Sequence, residues 1–340
     1  MPIATARKPL LKYSFTIGVA AMEGRGFYYP VDLAFRKDGR IFVLGRGHDG
    51  DTRGVQILVC NIDSEYYGKF ASHGAEPGQF IWPTSIAIDK DGNVYVSDEY
   101  RNNISIFSTS NECISRWGEE GSEPGKLRGP SGLAFDWQDN LLVVDHQNHR
   151  IQKFTKDGRL LMSFGKEGRA NGEFDLPWGI CVAPVGDIYV ADWGNDRVQQ
   201  FAPNGRFIAS YGTSGNGDGQ FNRPSSVAVD AQRYIYVSDW GNERVQVFDP
   251  DGKLLQSLRG EATTSKWAQE FLDGNIEEAR ARAKSNLEPD LTPYNGDPYE
   301  ESYHTEKFFW SPSSVKVDDS GRVFVVDRNR HRIQVYERAR

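Results

Sequence analysis

A phrase that returns every 47 residues constrains this chain more than any other feature in it. Each unit runs proline, a small or polar pair, an apolar strand ending near Asp, a turn, a strand of the Tyr-Val-x-Asp kind, and a third strand. The prolines Pro83, Pro130, Pro177 and Pro224 keep that step, and so do the aspartates Asp98, Asp145, Asp192 and Asp239. Two further copies flank these four. One opens at Pro30, 53 residues before its successor; the other opens at Pro312, 88 residues after its predecessor, and carries Asp327. A strict period of this length, with several short alternating strands per unit, marks a radial array of small antiparallel sheets. Six copies predict an all-β fold, a six-bladed β-propeller of four-stranded antiparallel blades.

The third copy shows the strand logic. Gly132-Leu133-Ala134-Phe135 is an apolar run, Asp139-Asn140 a tight turn, Leu141 to Val144 the return, and Ile151 to Phe154 alternates before Asp157-Gly158 turns the chain into Leu160 to Phe164. The first strand is nearly all apolar and so is expected innermost, while the outer strands alternate and face water on one side. An open ring would leave strand edges that recruit other chains. The last copy ends at Ile333-Gln334-Val335-Tyr336 with no fourth strand of its own, and Tyr13 to Gly18 stands at the right distance before Pro30 to supply it. Residues 12–340 are therefore expected to form one closed propeller, with residues 1–11 as a tail and 261–306 as an insertion between blades 5 and 6.

Pro-Ser-Ser-Val-Ala-Val-Asp (224–230), Ile-Tyr-Val-Ser-Asp-Trp-Gly-Asn-Glu-Arg-Val-Gln-Val-Phe (235–248) and Gly-Asp-Gly-Gln-Phe (217–221) resemble NHL repeats. The resemblance runs over nearly the whole chain. It implies the propeller fold and leaves open lyases, RNA-binding modules of ubiquitin ligases and protein-interaction scaffolds, because fold does not fix function. A net charge of −7 and a pI near 5.5 argue against a nucleic-acid partner. Arg150, Arg197, Arg244 and Arg332 each follow their blade aspartate by five residues, and a charge that repeats with the fold reads as a structural partner. Cys60, Cys113 and Cys181 are too few and too scattered for a disulfide framework, and no apolar run has membrane-spanning length. The expectation is a cytoplasmic protein with no membrane partner and no cofactor.

Function is expected where the repeat is broken. The loops between second and third strands, and those leading into the next blade, emerge on one face, and both irregularities fall there. The first copy has four additional residues, in the segment Gly45 to Gly54, and the connection from blade 5 to blade 6 carries 41 extra residues. In that insertion Thr264 or Ser265 can cap a helix through Trp267 and Phe271, Gly274 ends it, and Asn275 can cap a second with Glu277 and Glu278 in its first turn. An acidic, aromatic stretch from Tyr294 to Trp310 follows, and the whole segment is expected to act as a lid or docking arm over the channel mouth, or else to pack on the rim.

Ligand-binding candidates on this face are Asp32, His48, Asp49, Arg101, His146, Trp178, Trp193, Trp240 and Trp310. The indoles offer flat recognition surfaces or loop packing. Trp178, directly after Pro177, is expected to share the channel mouth with Asp32, Thr84, Ser131, Ser225 and Ser313, and His48, Asp49 and His146 form either a cation site or a solvated rim. Ile41 to Gly47 also resembles the first-blade segment of peptidyl-amidoglycolate lyases, and Val94 to Tyr100 the segment with their catalytic tyrosine. That resemblance would make Arg46 and Tyr100 catalytic. The same lyases place zinc-binding histidines directly after several blade prolines; here those positions are Val31, Thr84, Ser131, Trp178, Ser225 and Ser313, so no metal is expected. The tyrosine-bearing copy is the second here and the third in the lyases. The reading is a module that binds a ligand or protein through its loop-rich face, with a lyase or hydrolase at the channel mouth as the alternative.

Overall fold

The computed structural model describes residues 9–22, 24–48 and 50–339. Six four-stranded antiparallel sheets stand around a central channel. In the third blade the strands are Pro130–Phe135, Leu141–Asp145, Arg150–Phe154 and Leu160–Phe164, paired in chain order. The sixth consists of Pro312–Val317, Val323–Asp327 and Arg332–Arg338, and its outer strand is Leu11–Ile17 from the other end of the chain, with Leu11 opposite Arg338 and Ile17 opposite Ile333.

Apolar side chains alternate along these strands, so each blade presents a hydrophobic face to both neighbours and the core divides into six clusters, one at each junction. The residue three before each proline drives into its cluster: Phe27, Phe80, Leu127, Phe174, Phe221 and Phe309 are at most 2% exposed. Burying a side chain of this size stabilises by about 1.5–3 kcal/mol.

The inner strands are stitched by hydroxyls. Thr84 donates to the Pro130 carbonyl at 3.0 Å, Ser131 to Trp178 at 2.9 Å, Ser225 to Pro312 at 3.2 Å and Ser313 to Val31 at 2.9 Å. The small residues after the prolines thus bridge adjacent blades. A second set of links acts further out. The residue four after the blade aspartate adopts a left-handed backbone at Asn102, His149, Asp196, Glu243 and His331. Each accepts a hydrogen bond from the backbone N–H just before the next blade's proline: Gly129, Leu176, Arg223, Ser311 and Tyr29. Four side-chain types fill one geometric role, which requires only an acceptor of the right reach.

The segment Gly45 to Gly54 is a two-stranded extension and not an open loop. Ile41–His48 and Asp51–Cys60 remain paired to their tips, with His48 opposite Asp51. Gly47 makes this possible: it has φ +71°, and a Cβ there would meet the Asp51 carbonyl at 2.7 Å.

The insertion holds three helices, α1 (Lys266–Gly274), α2 (Ile276–Lys284) and α3 (Pro298–His304). Ser265 caps α1 as its position suggests, accepting from Ala268 at 3.1 Å. Asn275 precedes α2 but turns its side chain back to the Phe271 carbonyl, and α3 arises within the aromatic stretch, capped by Asp297 with Pro298 in its first turn. The packing of this segment departs from the expected lid. Trp267 is 1% exposed within the cluster between blades 6 and 1, lies 5.6 Å from Phe27, and donates Nε1–H to the Ser64 carbonyl at 2.6 Å. Thr263 donates its N–H to the Tyr13 hydroxyl at 3.0 Å, Ser265 donates to the Gly18 carbonyl, and Glu261 donates its N–H to Gln334 at 3.0 Å. The insertion therefore clasps the seam where the ring closes.

Three outcomes follow. Deleting residues 1–18 is expected to expose the edge of Arg332–Arg338 and give an aggregating chain, whereas deleting residues 1–8 is expected to leave the pairing in place; light scattering of the two proteins checks this. Trp267→Ala should destabilise by about 3–5 kcal/mol in denaturant unfolding. The interblade acceptors predict opposing pH effects. Burial, with Arg328 and Arg330 nearby, pushes His331 down to about 4, so between pH 6.5 and 4 the unfolded chain binds the extra proton and stability falls on acidification. Burial pushes Glu243 up to about 8 against the Ser311 N–H, so between pH 4.5 and 8 the folded chain binds the extra proton and stability falls as pH rises. His331→Asn should flatten the acid limb of the melting-temperature profile and Glu243→Gln the neutral limb.

Candidate functional site

The side chain that follows each blade aspartate points to the channel mouth, because the aspartate holds the turn on which it stands. Asp145 is fully buried and accepts from the Arg128 N–H at 2.6 Å, Asn148 at 2.9 Å, Arg150 at 2.7 Å and Gln152 at 3.0 Å. Arg150 also donates to the carbonyls of Ser122, Glu123 and Lys126. The periodic arginines Arg197, Arg244 and Arg332 make the same aspartate contact at 2.7–2.8 Å, as structural partners. Blade 2 has Asn103 in place of that arginine. There Arg116 comes from the outer strand to the matching carbonyls of Ala75, Glu76 and Gln79.

The repeat thus builds one ring of differing side chains, Arg46, Glu99, His146, Trp193, Trp240 and Arg328 in blade order, of which Arg46 alone follows a glycine, Gly45, and stands within an extended strand. Below it lies a cavity of about 630 Å³, lined by all of these except Glu99. Trp178 adds a fourth-blade wall, Trp82 stands at the rim, and Asp32, Ser85, Ser226, Ser314 and Lys316 form the floor.

Asp32 is 4% exposed and accepts from the Leu33 N–H at 2.9 Å, the Ile86 N–H at 3.0 Å, and the hydroxyls of Ser85 and Ser314 at 2.7 Å each. Lys316 reaches it at 3.2 Å. Asp32 therefore joins blade 1 to both neighbours as well as facing the cavity. His146 is 8% exposed; its Nδ1–H donates to the Pro177 carbonyl at 3.0 Å, and its ring meets Trp178 edge-on at 4.9 Å. Burial lowers its pKa and keeps the imidazole neutral, with Nε2 carrying no proton. Arg46 pairs with Glu99 at 3.0 Å and lies over Trp82 at 5.3 Å. His48 packs on Tyr29 at 4.8 Å, and Trp193 is covered by Arg223 at 4.7 Å.

Of the residues singled out in the sequence, Asp32, Arg46, His48, His146, Trp178, Trp193 and Trp240 meet at this cavity. Three others stand elsewhere. Tyr100 is 64% exposed, packs edge-on to Trp82 at 5.8 Å and does not line the cavity. Arg101 stands where three other blades have the asparagine that donates to the aspartate, and it contributes its backbone N–H to Asp98 instead. Trp310 is stacked under Arg330 at 5.3 Å and against Tyr303 at 5.0 Å, outside the cavity. Asp49 lies outside the described residues. Among the described residues of 261–306, none lines the cavity.

Sequence reasoning passed over Lys316, Trp82 and Arg328. The register held the signal for Lys316: it pairs with Phe324 as Ala34, Ala87, Ala134, Cys181 and Ala228 pair with theirs, so a long cation replaces small side chains in one blade alone. The acidic trio Asp89, Asp91 and Asp139 lies at turns outside the cavity and already encloses the Lys156 ammonium at 2.6–3.3 Å.

Five NHL repeats match the family model, at residues 80–107, 127–154, 174–201, 221–248 and 309–336. No curated protein sequence matches the chain. Among solved structures, a streptogramin B lyase is similar over 97% of this chain and 98% of its own, with TM-score 0.56 and 10% identity. A catalytically inactive virginiamycin B lyase from Staphylococcus aureus, crystallised with quinupristin, covers 96% of this chain and 99% of its own at TM-score 0.58 and 10% identity. A Bacteroides thetaiotaomicron protein of unknown function gives TM-score 0.60 and 16% identity over 97% of this chain and 76% of its own. At these identities the likeness is one of fold. The periodic sequence, the six radial sheets and the five matched repeats agree: the chain belongs to the NHL-repeat β-propellers.

Proposed function

We propose that this propeller is a binding module that takes a small organic molecule into its channel mouth. The observation that carries the reading is convergence: the positions where the blades differ most, the ring from Arg46 to Arg328 together with Asp32, Trp178 and Lys316, nearly all face one recessed space of about 630 Å³. That volume falls within the usual range for small-ligand pockets, whose walls are mostly apolar with a few placed polar groups. A recess with half-buried indoles suits a compact ligand better than a flat partner surface. The net charge of −7 supports a ligand other than nucleic acid, and among the described residues no helix is long and apolar enough to cross a membrane. Three unpaired cysteines, one of them fully buried, support a cytoplasmic setting.

The test uses a neutral flat probe, 2-(2-naphthyl)ethanol, followed by tryptophan fluorescence. Trp178→Ala and Trp240→Ala are each expected to weaken its binding about tenfold, a loss of about 1.4 kcal/mol, with melting temperature unchanged. Trp137→Ala, altering an exposed indole away from the cavity, should change nothing. Binding that ignores the cavity substitutions would defeat the proposal.

A second reading, a lyase, is supported by one feature: the neutral His146, with Nδ1 committed to Pro177, can offer Nε2 as a general base at the cavity wall. Cleavage of an amidoglycolate to amide and glyoxylate would express it. Glyoxylate release that disappears in His146→Ala and Arg46→Ala, both still folded, would establish this reading, and absence of release from the wild-type protein would remove it.

A further inference from the structure

Resting on the small-molecule reading, we propose that the ligand is an organic anion bearing a flat ring, with its anionic group toward Lys316 on the blade 6 to blade 1 side and its ring against the indoles of blades 4 and 5. The argument comes from how the departures from the repeat are distributed around the ring. Among the described residues the cavity's cations are Arg46 on blade 1 and Lys316 and Arg328 on blade 6; its tryptophans are Trp82 on blade 2, Trp178 and Trp193 on blade 4 and Trp240 on blade 5, so three of the four indoles stand on blades 4 and 5. In a ring of six blades the fourth stands opposite the first, so Trp178 and Trp193 face Arg46 across the channel, while Trp240 on blade 5 lies beside blade 6 and its cations. A molecule that satisfies both must be apolar and planar at one end and charged at the other.

The sign of the charge follows from which carboxylates are already satisfied. Among the described residues Asp32 is the one lining acid, and its two oxygens accept from Leu33, Ser314, Ser85 and Ile86. Four donors match a carboxylate's four lone-pair directions, so its hydrogen bonding is complete without Lys316. The Lys316 ammonium has three N–H donors, is directed at Asp32 by one contact of 3.2 Å, and keeps 23% of its side chain exposed to the cavity. It stands where the other blades carry four alanines and a cysteine, and the stitching of the inner strands therefore does not call for it. Arg46 donates one hydrogen bond to Glu99 and lies over Trp82 at 5.3 Å, and its guanidinium carries further N–H donors of the kind a carboxylate accepts from. In a chain of net charge −7, the described residues set three lining cations against the fully engaged Asp32 and the Glu99 partner of Arg46, an excess of positive charge that makes the channel mouth a local site for anions.

The experiment compares three probes of nearly one shape: 2-naphthylacetate, 2-(2-naphthyl)ethanol and 2-(2-naphthyl)ethylamine. The carboxylate is expected to bind at least about tenfold tighter than the alcohol, and the ammonium more weakly than either. Raising salt should narrow the gap between acid and alcohol. Lys316→Gln should bring the acid down to the level of the alcohol while leaving the alcohol unchanged, and Lys316→Arg should restore most of the preference. If Lys316→Gln does not fold, the wild-type ranking of the three probes still decides. Equal binding of acid and alcohol, or tighter binding of the amine, overturns this inference while leaving the small-molecule reading intact. Failure of all three to bind overturns both.

Discussion

Five of the six blades hang on a buried carboxylate, and blade 1 has Gly45 at that position. Asp145, Asp192, Asp239 and Asp327 are fully buried, and each is tolerable only because backbone N–H, arginine, asparagine or glutamine donors surround it. The arrangement ties three pieces together: the loop arriving from the previous blade, the end of the second strand, and the start of the third. Removing one partner from such a group leaves an uncompensated charge and typically costs about 3–5 kcal/mol. Blade 2 shows how strong the constraint is. Where Asn103 cannot reach, Arg116 enters from another strand to hold the same loop carbonyls, while Asp98 is satisfied by the N–H groups of Ile81, Trp82, Tyr100 and Arg101. With the backbone so firmly held, the following residue can be arginine, glutamate, histidine or tryptophan without consequence for the blade. Diversity at the channel mouth is thus a product of rigidity beneath it.

The fold was legible because its determinants are periodic and local. Proline, the apolar strand and the turn recur in each copy and the aspartate in five of them, and the missing last strand pointed to Tyr13–Ile17 by spacing alone. The site was legible where it coincides with a repeated position, as at His146, Trp193 and Trp240. It was less so where a side chain works across the ring. Lys316 lies in an inner strand whose pattern reads as ordinary, and its meaning appears only when its register is compared with Ala34 or Ala228. Trp310 and Tyr100 stand on the expected face but too far out, because strand order gives the face and not the radius.

The insertion illustrates a different limit. Its exit and re-entry points suggested a cover for the channel, and its caps predicted helices that do form at Lys266–Gly274 and Ile276–Lys284. What composition could not disclose was the destination of Trp267. An indole buried beside Phe27 and hydrogen-bonded to Ser64 has found a gap between two blades, and it draws the helix to the rim. Asp297 and Pro298 carried a usable helix signal for Pro298–His304, masked by the aromatic residues around it.

The clasp at the seam has a bearing on how the chain is made. Leu11–Ile17 leaves the ribosome long before Arg332–Arg338, the strand it pairs with, and must wait for it. Contacts of such sequence separation form slowly, and a waiting apolar strand is a place for wrong pairings to start. Thr263, Ser265 and Trp267 emerge well before the final strand and bond to Tyr13, Gly18 and Ser64. The insertion can therefore retain the first strand beside the first blade while the sixth is still incomplete, acting as an internal chaperone for the last step of assembly.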